Sequence, residues 1–366
     1  MAACAAIGIP GRRAAAQWPQ QAASAGSTVS LASVDDDPQS IRMVVDLAAA
    51  LGDALPRILP VVGRGPTQDV MDLLSQNVAA ALVPSDVLPY VVRTGRLPEA
   101  ERSLRYIAVF YRQDVHILAL ANFTNIGDLR GAPVNFGPQD SRTSITASTI
   151  FDSLGIRVQP VFQDPAAALQ ALQQRRIAAL VLVARKPAPL FFALNQGDGV
   201  HFLPMPETPE LSRIYLPSRL GIADYPLLIG QGEAGRGEPI ATAAVPIVIA
   251  VANPAPGSAR YRDLALLTNT LFLLASAAPK GSQGSIWAEF DPALDVPGWQ
   301  RFAPGAARLQ GGTAATGLGS PASPAARHGG ARPGQPQQDQ SEASRLQQRE
   351  KLFEEYKRWL QTQEHQ

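Results

Sequence analysis

The sequence has one cysteine, Cys4, so it can form neither an intramolecular disulfide nor a zinc or iron–sulfur site built on cysteine. Histidine is nearly as scarce, with only His116, His201, His328 and His365. No HExxH, GxSxG, GxxxxGK[ST] or paired-cysteine motif is present, so a non-enzyme without a cofactor or metal is expected. An excess of one charge is also missing: 32 Lys and Arg stand against 31 Asp and Glu, a net charge of +1. Without surplus cations to release counterions from a phosphate backbone, nucleic acid is not an expected partner. The only lysines are Lys186, Lys280, Lys351 and Lys357; the dominance of arginine beside alanine, glycine and proline is the imprint of GC-rich coding.

Long hydrophobic runs are absent as well. Ala241 to Ala252 is interrupted by Pro246, and Leu264 to Ala278 carries Thr268, Asn269, Thr270 and Ser276. Neither reaches the roughly 18 uncharged apolar residues of a membrane span. Both read as buried core elements. What is present suffices to fold, since apolar residues make up 46 % of the 366 and charged residues 17 %. That composition excludes a wholly disordered chain, and the length favours two packed lobes over one.

The first 27 residues hold an apolar run, Ala2 to Ile9, then Arg12 and Arg13, then Ala14-Ala15-Ala16 before Gln17. A signal peptide places its charge before the apolar stretch, whereas here the charge follows it. A truncated export signal, with the start codon assigned too late, and a plain disordered start are both open readings. Met1-Ala2-Ala3-Cys4 bears a faint likeness to a lipobox on a longer precursor.

From Thr28 to about Ala303, short β-type runs alternate with helical patterns, as in parallel sheets with crossover helices. Strands are expected at Thr28 to Ser33, Arg57 to Val62 and Ala79 to Val83, with helices at Ser40 to Leu55 and Thr67 to Ser75. Ile107 to Tyr111 and Val115 to Leu120 read as two paired strands separated by Arg112-Gln113-Asp114. The pattern then repeats: strands at Pro133 to Phe136, Val158 to Phe162 and Ala178 to Val183 alternate with helices at Ser141 to Leu154, Ala166 to Gln174 and Pro189 to Asn195. Val245 to Val251 is a strong strand, and Tyr261 to Ala277 a long helix expected to pack back on the first lobe. Crossings between lobes are expected near Ala119 to Asn122 and Ala241 to Val245, a pair that would act as a hinge. The first lobe then comprises residues 28–121 and 241–305, and the second 122–240. Residues 306–343 read as a disordered linker, because Gly311 to Gln340 holds seven glycines and four prolines with no hydrophobic period. Residues 344–366 read as an amphipathic tail helix with Leu346, Phe353, Tyr356 and Leu360 at helical spacing; it can dock on the parent domain or a protein partner, or simply be solvated.

Three loops are placed to bind a small solute. Gly137-Pro138-Gln139-Asp140-Ser141-Arg142-Thr143 joins a strand to a helix, and a helix start offers unpaired N–H groups to an anion. Ser141 and Thr143 are the candidate donors, although either residue can equally be a plain N-cap. Val83-Pro84-Ser85-Asp86 and Asp37-Pro38-Gln39-Ser40 are similar positions, and in open α/β sheets ligands bind outside the carboxyl ends of the strands. His116 and His201 read as satisfied structural histidines.

Asp128-Leu129-Arg130-Gly131-Ala132-Pro133-Val134-Asn135-Phe136-Gly137 resembles the D-L-(R/K)-G-x-x-V-N-(F/V)-G segment of the TAXI family of TRAP-transporter solute receptors. Ser141-Arg142-Thr143 falls where that family has S-G-T, Leu82-Val83-Pro84-Ser85-Asp86-Val87 is similar to its (I/L)-V-Q-S-D-V, and Arg185-Lys186-Pro187-Ala188-Pro189 to its G-x-P-A-x. Ala223-Asp224-Tyr225-Pro226 and Ala243-Ala244-Val245-Pro246 also fall in order. The resemblance implies a two-lobed α/β periplasmic-binding-protein fold with a hinge. It further implies a periplasmic location, a small carboxylate-bearing solute such as an amino acid or dicarboxylate, and delivery to TRAP membrane permease subunits. The site residues it suggests are Ser33, Ser40 and Ser85 from one lobe and Ser141, Arg142 and Thr143 from the other. Asp35, Asp36 and Asp37 depart from the family's Gly-rich first loop; three carboxylates repel an anion unless they point outward or the solute is cationic or zwitterionic. Arg142 can clamp a carboxylate bidentately or fill the cleft. A second reading keeps the fold but gives it an interaction or sensory role with a degenerate pocket.

Overall fold

The computed structural model describes residues 28–34, 38–52, 56–230, 238–277 and 287–314. The possible signal segment, Asp35 to Asp37, and the tail helix expected over 344–366 lie outside the described residues.

In the first lobe, strands β1 (Thr28–Ala32), β2 (Arg57–Val61) and β3 (Ala80–Pro84) alternate with helices α1 (Pro38–Leu51) and α2 (Pro66–Leu74). β1 pairs in parallel with both β2 and β3. Parallel neighbours need a crossover connection, and the two helices supply it. α3 (Val87–Arg93) and α4 (Ala100–Ser103) lead into β4 (Leu104–Leu120).

The second lobe repeats the scheme with β5 (Pro133–Asn135), α5 (Arg142–Ser153), β6 (Gln159–Val161), α6 (Pro165–Gln173) and β7 (Ala179–Ala184). β8 (Val200–Phe202), α7 (Pro209–Ser212), β9 (Leu216–Leu220) and α8 (Pro226–Ile229) complete it. β10 (Ile240–Ala252) then returns the chain to the first lobe, where α9 (Ala259–Ala277) and α10 (Ala303–Ala314) follow. The ten strands among the described residues belong to one sheet, ordered β2-β1-β3-β10-β4-β7-β5-β6, with β8 on β4 and β9 on β10.

The two paired strands expected over Ile107 to Leu120 are one strand. β4 runs 17 residues without a turn; Arg112-Gln113-Asp114 has neither glycine nor an Asn-Gly or Asp-Gly pair to make a tight two-residue turn. Instead β10 pairs antiparallel with the first part of β4, from Ala244 opposite Asp114 to Ala252 opposite Leu104, and β7 and β8 pair with the rest. The register shifts between Ile247 and Val248, and again between Val248 and Ala250. Irregularities of this kind bend a ladder, and here they lie beside the junction of the lobes.

The cores locate that junction. Up to Tyr111 on β4 and from Ile247 on β10, side chains pack with α1, α2, α3 and α9. Between Val115 and Val245 they pack within the second lobe. The chain therefore passes between lobes within β4 at Arg112 to Asp114, upstream of the expected Ala119 to Asn122, and within β10 at Pro246. Both passages are extended strands. α9 buries Leu264, Leu267 and Leu271 against the first lobe's core, as its apolar spacing predicts. Each such leucine contributes about 2 kcal/mol by removal from water. α10 reaches Ala314, so a helix occupies the start of the stretch that composition alone assigns to a linker.

Candidate functional site

The six residues expected to bind solute are all buried. Ser33 follows β1 directly; its N–H donates to Val61 O at 2.8 Å, and its hydroxyl has no hydrogen-bond partner among the described residues. Ser33 also belongs to the lining of a cavity of about 20 Å³ shared with Ile41, Val44 and Pro60, room for roughly one water. Ser40 turns its oxygen back on the loop and accepts from Val34 N–H at 2.9 Å. Ser85 donates its N–H to Pro246 O at 2.8 Å and its carbonyl accepts from Trp299 Nε1 at 2.7 Å, while its hydroxyl has no partner among the described residues.

In the second lobe Ser141 is the N-cap of α5, its hydroxyl oxygen accepting from Ser144 N–H at 3.2 Å. Thr143 Oγ1 accepts from Val183 N–H at 3.2 Å, and Arg142 Nε donates to Val183 O at 3.3 Å. These bonds tie α5 to β7. The structure thus brings Arg142 and Thr143 together against β7.

A neighbour that the serine pattern does not single out spans the lobes instead. Asp86 is fully buried and accepts at Oδ2 from Thr146 Oγ1 of α5 at 2.6 Å and from the Tyr215 hydroxyl at 2.9 Å. Its Oδ1 has no partner among the described residues. Burial pushes its carboxyl up to about 6, against the two hydroxyl donors that favour the ionised form. Burial also raises the Tyr215 phenol well above its usual value, helped by the adjacent Asp86 charge. Ile145 of α5 packs into the first lobe's core beside Val87, Leu88 and Val91, so this face of the junction is closed by apolar contact as well. The exposed pairs Arg93 with Asp152 and Arg96 with Asp140 flank it, each of small energetic weight.

The opposite face of the β4–β10 ribbon is open. Val245 and Val115 point into the core that holds Tyr215. Side chains alternate along a strand, so Arg112, Asp114 and Ala244 point the other way. There they line a cavity of about 290 Å³ together with Arg185, Lys186, Pro217, Ser218 and Glu289. β4 and β10 form its floor, the end of β7 and β9 one wall, and Glu289 of the first lobe the other. Lys186 Nζ lies 3.3 Å from Asp114 Oδ1 and donates to Ser218 Oγ at 3.1 Å and Arg219 O at 2.6 Å. Arg185 pairs with Glu289 and lies over the Tyr111 ring, 5.6 Å from its centroid.

His116 belongs to the scaffold below this cavity. Its Nδ1 donates to Leu182 O at 3.3 Å and its Nε2 accepts from the Tyr225 hydroxyl at 2.7 Å, which in turn accepts from Ala188 N–H at 2.7 Å. Burial pushes the imidazole down to about 4, so it is neutral at physiological pH. His201 Nε2 donates to Phe123 O at 2.7 Å. Both histidines are satisfied, as their positions in apolar strands suggest. Among the described residues no group of three His, Cys, Asp or Glu could hold a metal ion, and no helix is long and apolar enough to cross a membrane.

The profile of the NMT1-like family matches residues 56–273, from β2 to α9. No curated protein matches the sequence. Among solved structures, the periplasmic aliphatic sulphonate binding protein SsuA from Escherichia coli aligns at 19 % identity with a TM-score of 0.34, covering 49 % of this chain and 60 % of that one. The chain thus spans three fifths of the length of that relative. A TctC solute binding protein from Polaromonas aligns at 14 % identity and a TM-score of 0.43, covering 68 % and 84 %. The alkanesulfonate-binding protein SsuA from Xanthomonas axonopodis pv. citri, bound to MOPS, aligns at 13 % and 0.39, covering 70 % and 74 %.

Proposed function

The chain belongs to the NMT1-like family, and from that premise we propose that it is an extracytoplasmic solute-binding receptor. It captures a small carboxylate-bearing solute, an amino acid or dicarboxylate, between its lobes and hands it to the membrane subunits of a TRAP-type transporter of the TAXI class. The observation that carries this reading is the cavity of about 290 Å³ at the junction, walled by both lobes and floored by the two strands that join them. A solute touching both walls favours their approach, which is how a two-lobed receptor converts binding into a shape that a permease can recognise. The solute is held by hydrogen bonds and charge, with no bond made or broken. None of the six residues that the sequence offers lines this cavity; Ser33 and Ser85, whose buried hydroxyls have no partner among the described residues, stand at strand ends away from it. Ser40, Ser141 and Thr143 are already engaged with backbone N–H groups and contribute by fixing the loops. The resemblance to TAXI receptors and the family match support a periplasmic location.

A thermal-shift screen of the full chain against amino acids, dicarboxylates and keto acids tests the reading. A true solute at 100 times its Kd adds about 2.7 kcal/mol of stability. If no compound raises the melting temperature at saturating concentration, the receptor assignment falls.

A further inference from the structure

The cavity at the junction has a charge imbalance that identifies its anion-holding group. Three cations, Arg112, Arg185 and Lys186, line it with two carboxylates, Asp114 and Glu289. Arg185 is matched by Glu289 and Lys186 by Asp114. Glu289 also accepts the backbone N–H of Arg112 at 3.3 Å, which fixes that carboxylate to the ribbon while its charge goes to Arg185. The Arg112 side chain is exposed on the cavity, and its guanidinium has neither ion pair nor hydrogen bond among the described residues. Its neighbours across and along the ribbon are Pro246, opposite it, and Ala244, opposite Asp114. Neither carries a charge, and Ala244 is small enough to leave room above the floor.

We propose that Arg112 holds the carboxylate of the solute, as a planar fork binding two oxygens at once. This rests on the receptor reading above and moves the anion's place from the start of α5 to the floor of the cavity. Arg142, the arginine that the sequence pattern offers for this task, is buried with its Nε on Val183 O. The remaining wall is fixed in advance: Ser218 donates to Asp114 and accepts from Lys186, so neither charge of that pair is free to compete. With one cation unmatched, the site suits one anionic group, and its volume limits the rest of the solute to a short, uncharged or internally neutral body. Ligand pockets commonly enclose roughly 300–1,000 Å³, and this cavity of about 290 Å³ lies just below that range. A guanidinium fork on a partly enclosed carboxylate is a strong charge-assisted contact that lysine does not reproduce.

Isothermal titration of the full chain with pyruvate, 2-oxoisovalerate, L-leucine, succinate and 2-oxoglutarate tests the assignment. Arg112→Gln is expected to weaken every carboxylate that binds by about tenfold or more, and Arg112→Lys to recover only part of the loss. Glu289→Gln releases Arg185 to the cavity and is expected to tighten the same ligands severalfold. Binding of these carboxylates that is unchanged in Arg112→Gln overturns the Arg112 assignment and leaves the receptor reading standing. Failure of every carboxylate to bind the unaltered protein removes both.

Discussion

The Asp86 carboxylate, at the end of β3 in the first lobe, accepts a 2.9 Å hydrogen bond from the Tyr215 hydroxyl of the second. With Thr146 on the same oxygen, it is the buried polar link between lobes on the face away from the cavity. A carboxylate enclosed among hydroxyls and aliphatic side chains, with no cation beside it, costs stability when ionised.

Stability of the unaltered protein is expected to change little between pH 4 and 6, because two buried groups oppose each other there. Asp86 has a folded value of about 6, above its ordinary 3.8. The folded state therefore holds more protons than the unfolded one, and stability from this group is complete below pH 4 and falls by about 3 kcal/mol as pH rises through 6. His116 has a folded value of about 4, below its ordinary 6.5. Its contribution runs the other way: complete above about pH 6.5, it is lost by a similar amount as pH falls through 4. Asp86→Asn should expose the histidine's slope, with stability rising from pH 4 to 6.5, and His116→Gln the aspartate's, with stability falling. Urea midpoints at half-unit pH steps check this; parallel profiles for all three proteins would contradict it.

Tyr215→Phe removes one of the two hydroxyls on Asp86. Stability at pH 7.5 should fall by about 1–3 kcal/mol, since a buried acceptor loses a donor. The effect should localise at the junction, so that amide exchange quickens in α3 and α5 and stays unchanged in α9. Uniform acceleration over the whole chain would count against a link between lobes.

Gly63→Ala should be among the most damaging small substitutions. A Cβ there would stand 2.1 Å from the Ser33 carbonyl oxygen and 2.7 Å from Asp69 Oδ2. Both atoms belong to packed structure, one of them backbone. A loss of about 1–3 kcal/mol is expected from the forced shift, measured by thermal denaturation. Weaker solute binding should accompany it if Ser33 contributes to the site.

Tyr225→Phe leaves two buried groups without their partner, Ala188 N–H and His116 Nε2. Each such loss costs about 1–3 kcal/mol. Tyr225→Phe should therefore destabilise more than Tyr215→Phe, where Thr146 still donates to Asp86. Equal losses in chemical denaturation would argue against the three-part chain.

Much of the fold is legible in the sequence, since alternating β-type runs and helical spacing mark β1 to β3 and β5 to β7 close to their observed limits. The long strand β4 is not. Arg112-Gln113-Asp114 reads as a polar break, yet pairing with β10 exposes Arg112 and buries Gln113 in ordinary strand alternation. Strand-end serines are visible as hydroxyls at the right loops, but whether a hydroxyl faces solute or caps its own backbone depends on partners such as Val183, 40 residues from Thr143. Asp86 and Tyr215 are separated by 129 residues, and no local pattern relates them. Arg112 was legible only as a charge within an apolar segment; its place on the cavity floor required the ribbon.

That ribbon has a consequence for dissection. β4 and β10 are shared walls, each serving one hydrophobic interior along its first part and a different one along the rest. A cut at Gln113 would strand both fragments with bare ladder edges and half a core apiece. Neither jaw is a module that could be lent to another protein by itself, and recombination of such receptors should succeed only where the two long strands are exchanged as a pair.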